Sequence, residues 1–209
     1  MKGLFVTFEG TEGSGKTSVI RRVQSYFENK GIPVLVTREP GGSHIAEQIR
    51  SILLSKENKE MDVKTEALLF AASRRQHLTE IIRPALNEGK LVLCDRYVDS
   101  SLVYQGIARG IGYDDVLSIN RFAIDDSFPD LTLFVDVRPE VGLERVFNTK
   151  DREVNRLDLE TMSFHRDIYD GYMSLIEAFP ERMKKIPGEQ PLEEVVQAVI
   201  EEIGRSFET

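Results

Sequence analysis

One cysteine in 209 residues, Cys94, excludes an intramolecular disulfide. Nor is there an apolar run near the ~18 residues that a bilayer-spanning helix needs, or the charged-then-apolar start of a secretory leader. Met1 leads almost at once into Leu4-Phe5-Val6-Thr7-Phe8, which reads as a strand. A cytoplasmic location without membrane contact is expected. Positive charge is also short: 27 Lys plus Arg against 35 Asp plus Glu leave a net charge of −8, which argues against a surface devoted to nucleic acid or anionic lipid. An anionic ligand must therefore meet basic residues gathered locally, with the carboxylate excess left to the outer surface. Absent too are Pro/Ser-rich linkers, low-complexity tracts and internal repeats. With 41% hydrophobic and 30% charged residues the composition lies outside the disordered class, and a single domain over residues 1–209 is expected.

What is present is an alternation. Apolar, β-branched-rich runs recur at residues 4–8, 33–37, 91–94 and 131–137. Stretches of helical period separate them, at 16–29, 44–54, 64–87, 114–126, 140–147, 162–178 and 192–207. Gly31, Gly89 and Gly110 fall where helices should stop. The pattern predicts an α/β fold, a parallel sheet with helices on both faces. Two polar segments break it: Pro40-Gly41-Gly42-Ser43, between a strand and a helix, and residues 148–158 (NTKDREVNRLD), a charge-dense stretch that reads as a candidate lid.

The first strand runs into Gly10-Thr11-Glu12-Gly13-Ser14-Gly15-Lys16-Thr17, which fits G-x-x-x-x-G-K-[ST]. Glycines there permit backbone conformations closed to other residues, so successive N–H groups can converge on phosphate oxygens at the positive end of the following helix. Lys16 would reach the β- and γ-phosphates, and the Thr17 hydroxyl would ligate Mg²⁺. A second apolar strand ends in Asp95, a carboxylate suited to the same metal, and Arg96 follows where it can hold a second phosphate.

A nucleotide loop alone admits a GTPase switch, an ATPase module, or a kinase acting on a small molecule. The chain carries neither N-K-x-D nor D-x-x-G, which counts against the switch, and its length leaves little room for a motor. A kinase needs basic residues at an acceptor site and a lid that excludes water. Arg38, Arg50, Arg74, Arg75 and Arg96 are candidates for the first, Arg152 and Arg156 for the second. Arg74 also lies one helical turn from Phe70, so that an aromatic ring and a guanidinium can address one nucleobase.

Six segments in order resemble bacterial thymidylate kinases: FEGTEGSGKT at 8–17, TREPGG at 37–42, LLFAASRRQH at 68–77, DRYVDSSLVYQG at 95–106, FPDLTLFVDV at 128–137 and NRLD at 155–158. The resemblance implies a three-layer P-loop kinase fold with a parallel sheet of about five strands. It implies Mg²⁺-dependent transfer of the ATP γ-phosphoryl group to dTMP, usually by a homodimer. It places ATP on residues 10–17, Mg²⁺ near Thr17 and Asp95, and the dTMP phosphate on Arg50 and Arg96 with Glu39 nearby. Glu12 would address the sugar 3′-hydroxyl, Phe70 would stack on thymine, and Arg74 would bond a base carbonyl. Ser101 and Gln105 would face the base edge, and Tyr104 would crowd the 2′ position. Arg152 or Arg156 would supply a lid cation to the transferred group, alongside Lys16 and Arg96. The acceptor phosphate is already an anion near neutrality (second pKa about 6), so no general base is needed. His44, His77 and His165 read as surface or packing residues.

Overall fold

A computed structural model describes residues 3–148 and 156–207. Five strands, β1 (Leu4–Glu9), β2 (Val34–Arg38), β3 (Leu91–Asp95), β4 (Leu131–Asp136) and β5 (Met183–Pro187), form one parallel sheet in the order β2-β3-β1-β4-β5. The pairing is in register from Leu4 opposite Leu91 to Phe8 opposite Asp95, which brings the chain after β1 and the chain after β3 out side by side. The α/β expectation is met, with all strands parallel.

Alternation along the strands fills both faces. Val6 and Phe8 of β1, Leu91 and Leu93 of β3 and Leu133 and Val135 of β4 pack with α1 (Lys16–Asn29) and α9 (Leu192–Phe207). Phe5, Val92 and Cys94 face the other way. They meet a second layer built from α3 (Val63–His77), a π-helical turn at Leu78–Ile82, α4 (Arg83–Asn87) and α6 (Tyr113–Ile124). Burial on both faces is why these strands read as continuous apolar runs. α2 (His44–Leu54) packs beside α3. α7 (Pro139–Asn148) follows β4, and α8 (Met162–Ala178) covers Phe134 and Met183 on the second face.

The helix predicted over 64–87 is a continuous rod with the π-helical turn inside it. Asp62 starts it by accepting from the N–H groups of Lys64 and Thr65 at 3.0 and 3.1 Å. Two elements differ from expectation. β5 is an edge strand in which Met183 and Ile186 are buried on opposite faces with the half-buried Lys184 and exposed Lys185 between them, so it lacks an apolar run. Residues 98–108, polar and Ser-rich at their start, are helical: α5 (Val98–Ser101) passes into a π-helical turn at Leu102–Ala108. Tertiary contact with α6 and α8 holds that turn where local propensity gives no signal. Residues 149–155, most of the predicted lid and Arg152 with it, lie outside the described residues. No described helix is long and apolar enough to cross a membrane.

Candidate active site

The loop between β1 and α1 follows the glycine pattern. Gly10, Gly13 and Gly15 all take positive φ (150°, 70° and 88°), and Gly15 caps α1 from the left-handed region. Lys16 folds back over the loop and its Nζ donates to Gly10 O, Thr11 O and Ser14 Oγ at 3.0, 3.2 and 3.1 Å. Burial, reinforced by the neighbouring Arg96 charge, lowers its pKa to about 8 against the pull of Asp95 and Glu12. A phosphate at this loop would restore the charge that burial disfavours.

Across the loop, the Thr17 hydroxyl donates to Asp95 Oδ2 at 3.2 Å. These are two hard oxygen donors, one of them a carboxylate, at the open end of the loop. Mg²⁺ is typically held by one or two carboxylates together with substrate phosphates and water, so the pair fits that ion. Among the described residues no cluster of three or more His, Cys, Asp or Glu gathers as a metal site.

Arg96 stands at the centre with φ +69°. Its Nη2 donates to Glu12 Oε1 at 3.0 Å, its Nη1 to Ser100 Oγ and the Tyr172 hydroxyl at 3.2 and 3.4 Å, and its guanidinium lies 5.0 Å from the Tyr104 ring centroid. Tyr104 in turn donates to both Glu12 oxygens at 2.7 and 2.9 Å. Burial alone would raise the Glu12 carboxyl, but Arg96, with His165, Lys16 and Tyr104 beside it, outweighs it and brings its pKa to about 2. Glu12 is therefore an ionised acceptor, ready to take a hydrogen bond from a hydroxyl.

Beyond Arg96 the cleft deepens between α2, α3 and residues 98–108. Arg74, 1% exposed, donates through Nε to Glu39 Oε2 at 2.7 Å, through Nη1 to Ser101 Oγ at 3.0 Å and to Asn120, and through Nη2 to Tyr97 O at 2.9 Å. That leaves one N–H of its five for a ligand. Glu39 also meets His77 Nδ1 at 3.1 Å, while His77 Nε2 meets the Thr37 hydroxyl at 2.6 Å. Arg50 Nη1 donates to Pro40 O at 2.8 Å.

A single cleft of about 840 Å³ is lined by Glu12, residues 13–17, Glu39, Arg50, Phe70, Arg74, Asp95, Arg96, Ser101, Tyr104 and Gln105. Phosphate loop and aromatic pocket thus open into one space. A family profile described as Thymidylate kinase matches residues 8–199. This chain belongs to the thymidylate kinase family. The thymidylate kinase of Oceanobacillus iheyensis is 58% identical over 201 residues, covering 96% of this chain and 89% of that protein. That of Clostridium novyi is 54% identical over 198 residues, covering 95% and 97%. A crystal structure of thymidylate kinase from Ehrlichia chaffeensis superimposes with a TM-score of 0.79 at 30% identity, covering 97% of this chain and all of that one. Thymidylate kinases are enzymes, nucleoside-monophosphate phosphotransferases whose known reaction passes phosphoryl from ATP to dTMP, and the fold here is theirs.

Three residues expected in a thymidylate kinase site stand apart from the cleft lining. Gly10 and Thr11 lie beneath it and serve through their carbonyls under Lys16. Arg156 points away: its Nε donates to Leu53 O at 3.2 Å and its Nη2 to Glu66 Oε2. The charge expectation is corrected as well. Carboxylates are not confined to the outer surface, because Glu9, Glu12, Glu39, Glu66 and Asp99 are all buried, three of them under arginines of the cleft and its wall. His77 and His165 are fully buried, the latter with Nδ1 3.6 Å from Glu12 Oε2, outside hydrogen-bond reach.

Sequence reasoning missed Glu9 and Arg145. Glu9 accepts from Tyr97 N–H, Ser100 Oγ and the Tyr172 hydroxyl at 2.9, 2.6 and 2.7 Å, which steadies two of the groups that hold Arg96. Burial pushes its pKa up. A carboxylate closing the first strand just before the loop was a visible cue. Arg145, on α7, lines the cleft from the loop side, and an exposed helix arginine carries no cue at all.

Proposed function

We propose that this chain transfers the γ-phosphoryl group of ATP to dTMP, giving dTDP and ADP for dTTP synthesis, with Mg²⁺ as cofactor. The observation that carries the reading is the single cleft, with Lys16 and the phosphate loop at one end, Phe70, Arg74 and Gln105 at the other, and Arg96 between them. Thr17 and Asp95 would hold Mg²⁺, which when bound screens charge on the transferring phosphates. Lys16 would leave the loop carbonyls for phosphate oxygens, and Arg96 would bring the acceptor phosphate in line with the donor. Glu12, ionised and already accepting from Tyr104, would take the hydrogen bond of the sugar 3′-hydroxyl. A loose transition state spreads negative charge over equatorial oxygens, so rigid placement of cations supplies most of the catalysis.

Arg152 and Arg156 enter this account as lid cations only if the lid closes over the cleft. Arg145 is the arginine of that side that already lines it. The acceptor reading is supported by Tyr104, 4% exposed and packed against Glu12, which leaves little room beside the sugar. The chain would act as one catalytic domain, in the cytoplasm, and as a homodimer. Exposed Leu68 on α3 and Phe122 on α6, 56% and 89% exposed, support the last point. ADP release from ATP and Mg²⁺ with dTMP, dUMP, UMP, CMP and AMP offered separately tests the assignment. dTMP should be the best acceptor, and a better rate with any of the others would remove it.

A further inference from the structure

Glu66 sits in the first turn of α3, 1% exposed, where three other segments meet. Gln105 Nε2, from the π-helical turn, donates to its Oε1 at 2.9 Å. Arg109, just past that turn, donates through Nε to the same oxygen at 3.3 Å and through Nη2 to Glu160 at 2.6 Å. Arg156 approaches Glu66 Oε2 from the far end of the predicted lid. Burial works against the carboxylate, but the Gln105 amide and the two arginines outweigh it and hold its pKa below the ordinary value. At neutral pH Glu66 is ionised and can only accept.

That fixes the orientation of the Gln105 amide. Facing a carboxylate, the side chain must present its NH₂ group. Its carbonyl oxygen has no partner among the described residues, and Gln105 lines the cleft on the same wall as Ser101 and Tyr104. An acceptor at that place suits a base edge that carries an N–H, as N3 of thymine does. Cytosine offers a lone pair at N3, which would face the Gln105 oxygen as a repulsive, unpaired contact.

We propose that Glu66 is a positioning residue for base selectivity: it locks the Gln105 amide with its oxygen toward the base. The inference rests on the reading that the acceptor base lies between Phe70 and Gln105.

E66Q keeps the shape of the side chain but can donate as well as accept, so the Gln105 amide can turn over. The ratio of kcat/KM for dTMP to that for dCMP should fall by about 10-fold in E66Q, with KM for dTMP moving more than kcat. Q105A should lower the ratio at least as far, and E66Q added to Q105A should change it no further. An unchanged ratio in E66Q beside a collapsed one in Q105A overturns the role of Glu66 and leaves the base reading intact. An unchanged ratio in Q105A overturns both. Equal losses for the two substrates in E66Q mark a purely structural residue and overturn the proposal too. Should E66Q fail to fold, the unaltered protein decides. One side-chain amide proton of Gln105, assigned by its loss in Q105A, should exchange slowly with water both before and after dTMP is added, and fast exchange in either state overturns the lock.

Discussion

Arg96 carries a backbone cost and an electrostatic task in one residue. Its φ of +69° lies in the left-handed region, which costs a non-glycine residue about 1–2 kcal/mol. The surrounding bonds impose it: the Arg96 N–H donates to Phe8 O at 2.9 Å, and the next residue's N–H reaches Glu9 Oε1 at 2.9 Å. R96A should keep the strain while losing the guanidinium, whereas R96G should lose both. We expect R96G to be about 1 kcal/mol more stable than R96A in urea unfolding. Titration should show both variants weakened toward dTMP far more than toward ATP. R96A proving the more stable would contradict the strain, and equal losses for both nucleotides would move Arg96 out of the acceptor site. The functional side of this residue was legible, since DRY after an apolar strand points to a phosphate contact. Its support was not, because Tyr172, which holds it, and Glu9, which steadies Ser100 and Tyr172, come from elements far from it in sequence. Arg74 shows the same division: its pairing with Phe70 follows from helical spacing, but the engagement of four of its five N–H groups by Glu39, Ser101, Asn120 and Tyr97 is a property of the folded chain.

At the scale of elements, the phosphate loop is held against α7 by two glycines in backbone contact. A Cβ on Gly13 would come 2.0 Å from Gly142 O, and a Cβ on Gly142 would come 2.1 Å from Glu12 O. Neither neighbour is a flexible side chain that could yield. The loop glycine is predictable from its motif. The glycine in α7 is not, because VGL inside a helical stretch looks like a weak spot in that helix. G142A would ordinarily strengthen a helix by about 1 kcal/mol. Here it should do the opposite and push α7 off the loop, taking Arg145, one turn further along, with it. The expected outcome is a lower thermal midpoint and a raised KM for ATP, with dTMP affinity in direct titration changed much less. A stabilised G142A with unaltered ATP kinetics would show that the close approach has no bearing on the donor site. The same contrast explains the missed elements. β5 and residues 98–108 owe their conformation to the neighbours they pack against, whereas β1, β3 and β4 carry their burial in their own composition.

Across the whole molecule, an acidic chain handles polyanions with arginines of the cleft and its wall set against buried carboxylates: Arg96 with Glu12, Arg74 with Glu39, Arg156 with Glu66. Net charge could not reveal this, because pairing leaves the sum unchanged. What composition also conceals is which apolar residues stay outside. Phe122 on α6 is 89% exposed, Leu68 on α3 is 56% exposed, and Ile45 and Ile52, two turns apart on α2, are 45% and 47% exposed. These three helices pack side by side in one layer, and apolar residues exposed on adjoining helices suit a subunit contact. A second copy of the chain is the partner that the proposed homodimer supplies, and a two-fold interface would use the same residues from both subunits. Sedimentation should then give a particle of twice 23.8 kDa for the unaltered protein. F122D should sediment as a single 23.8 kDa chain at concentrations where the parent is paired, because two carboxylates would face an apolar contact without partners. Phe122 contributes little to the core at that exposure, so the stability of the isolated chain should change by no more than about 0.5 kcal/mol. A parent protein sedimenting at 23.8 kDa, or an F122D variant that stays paired, would place this apolar set outside any subunit interface.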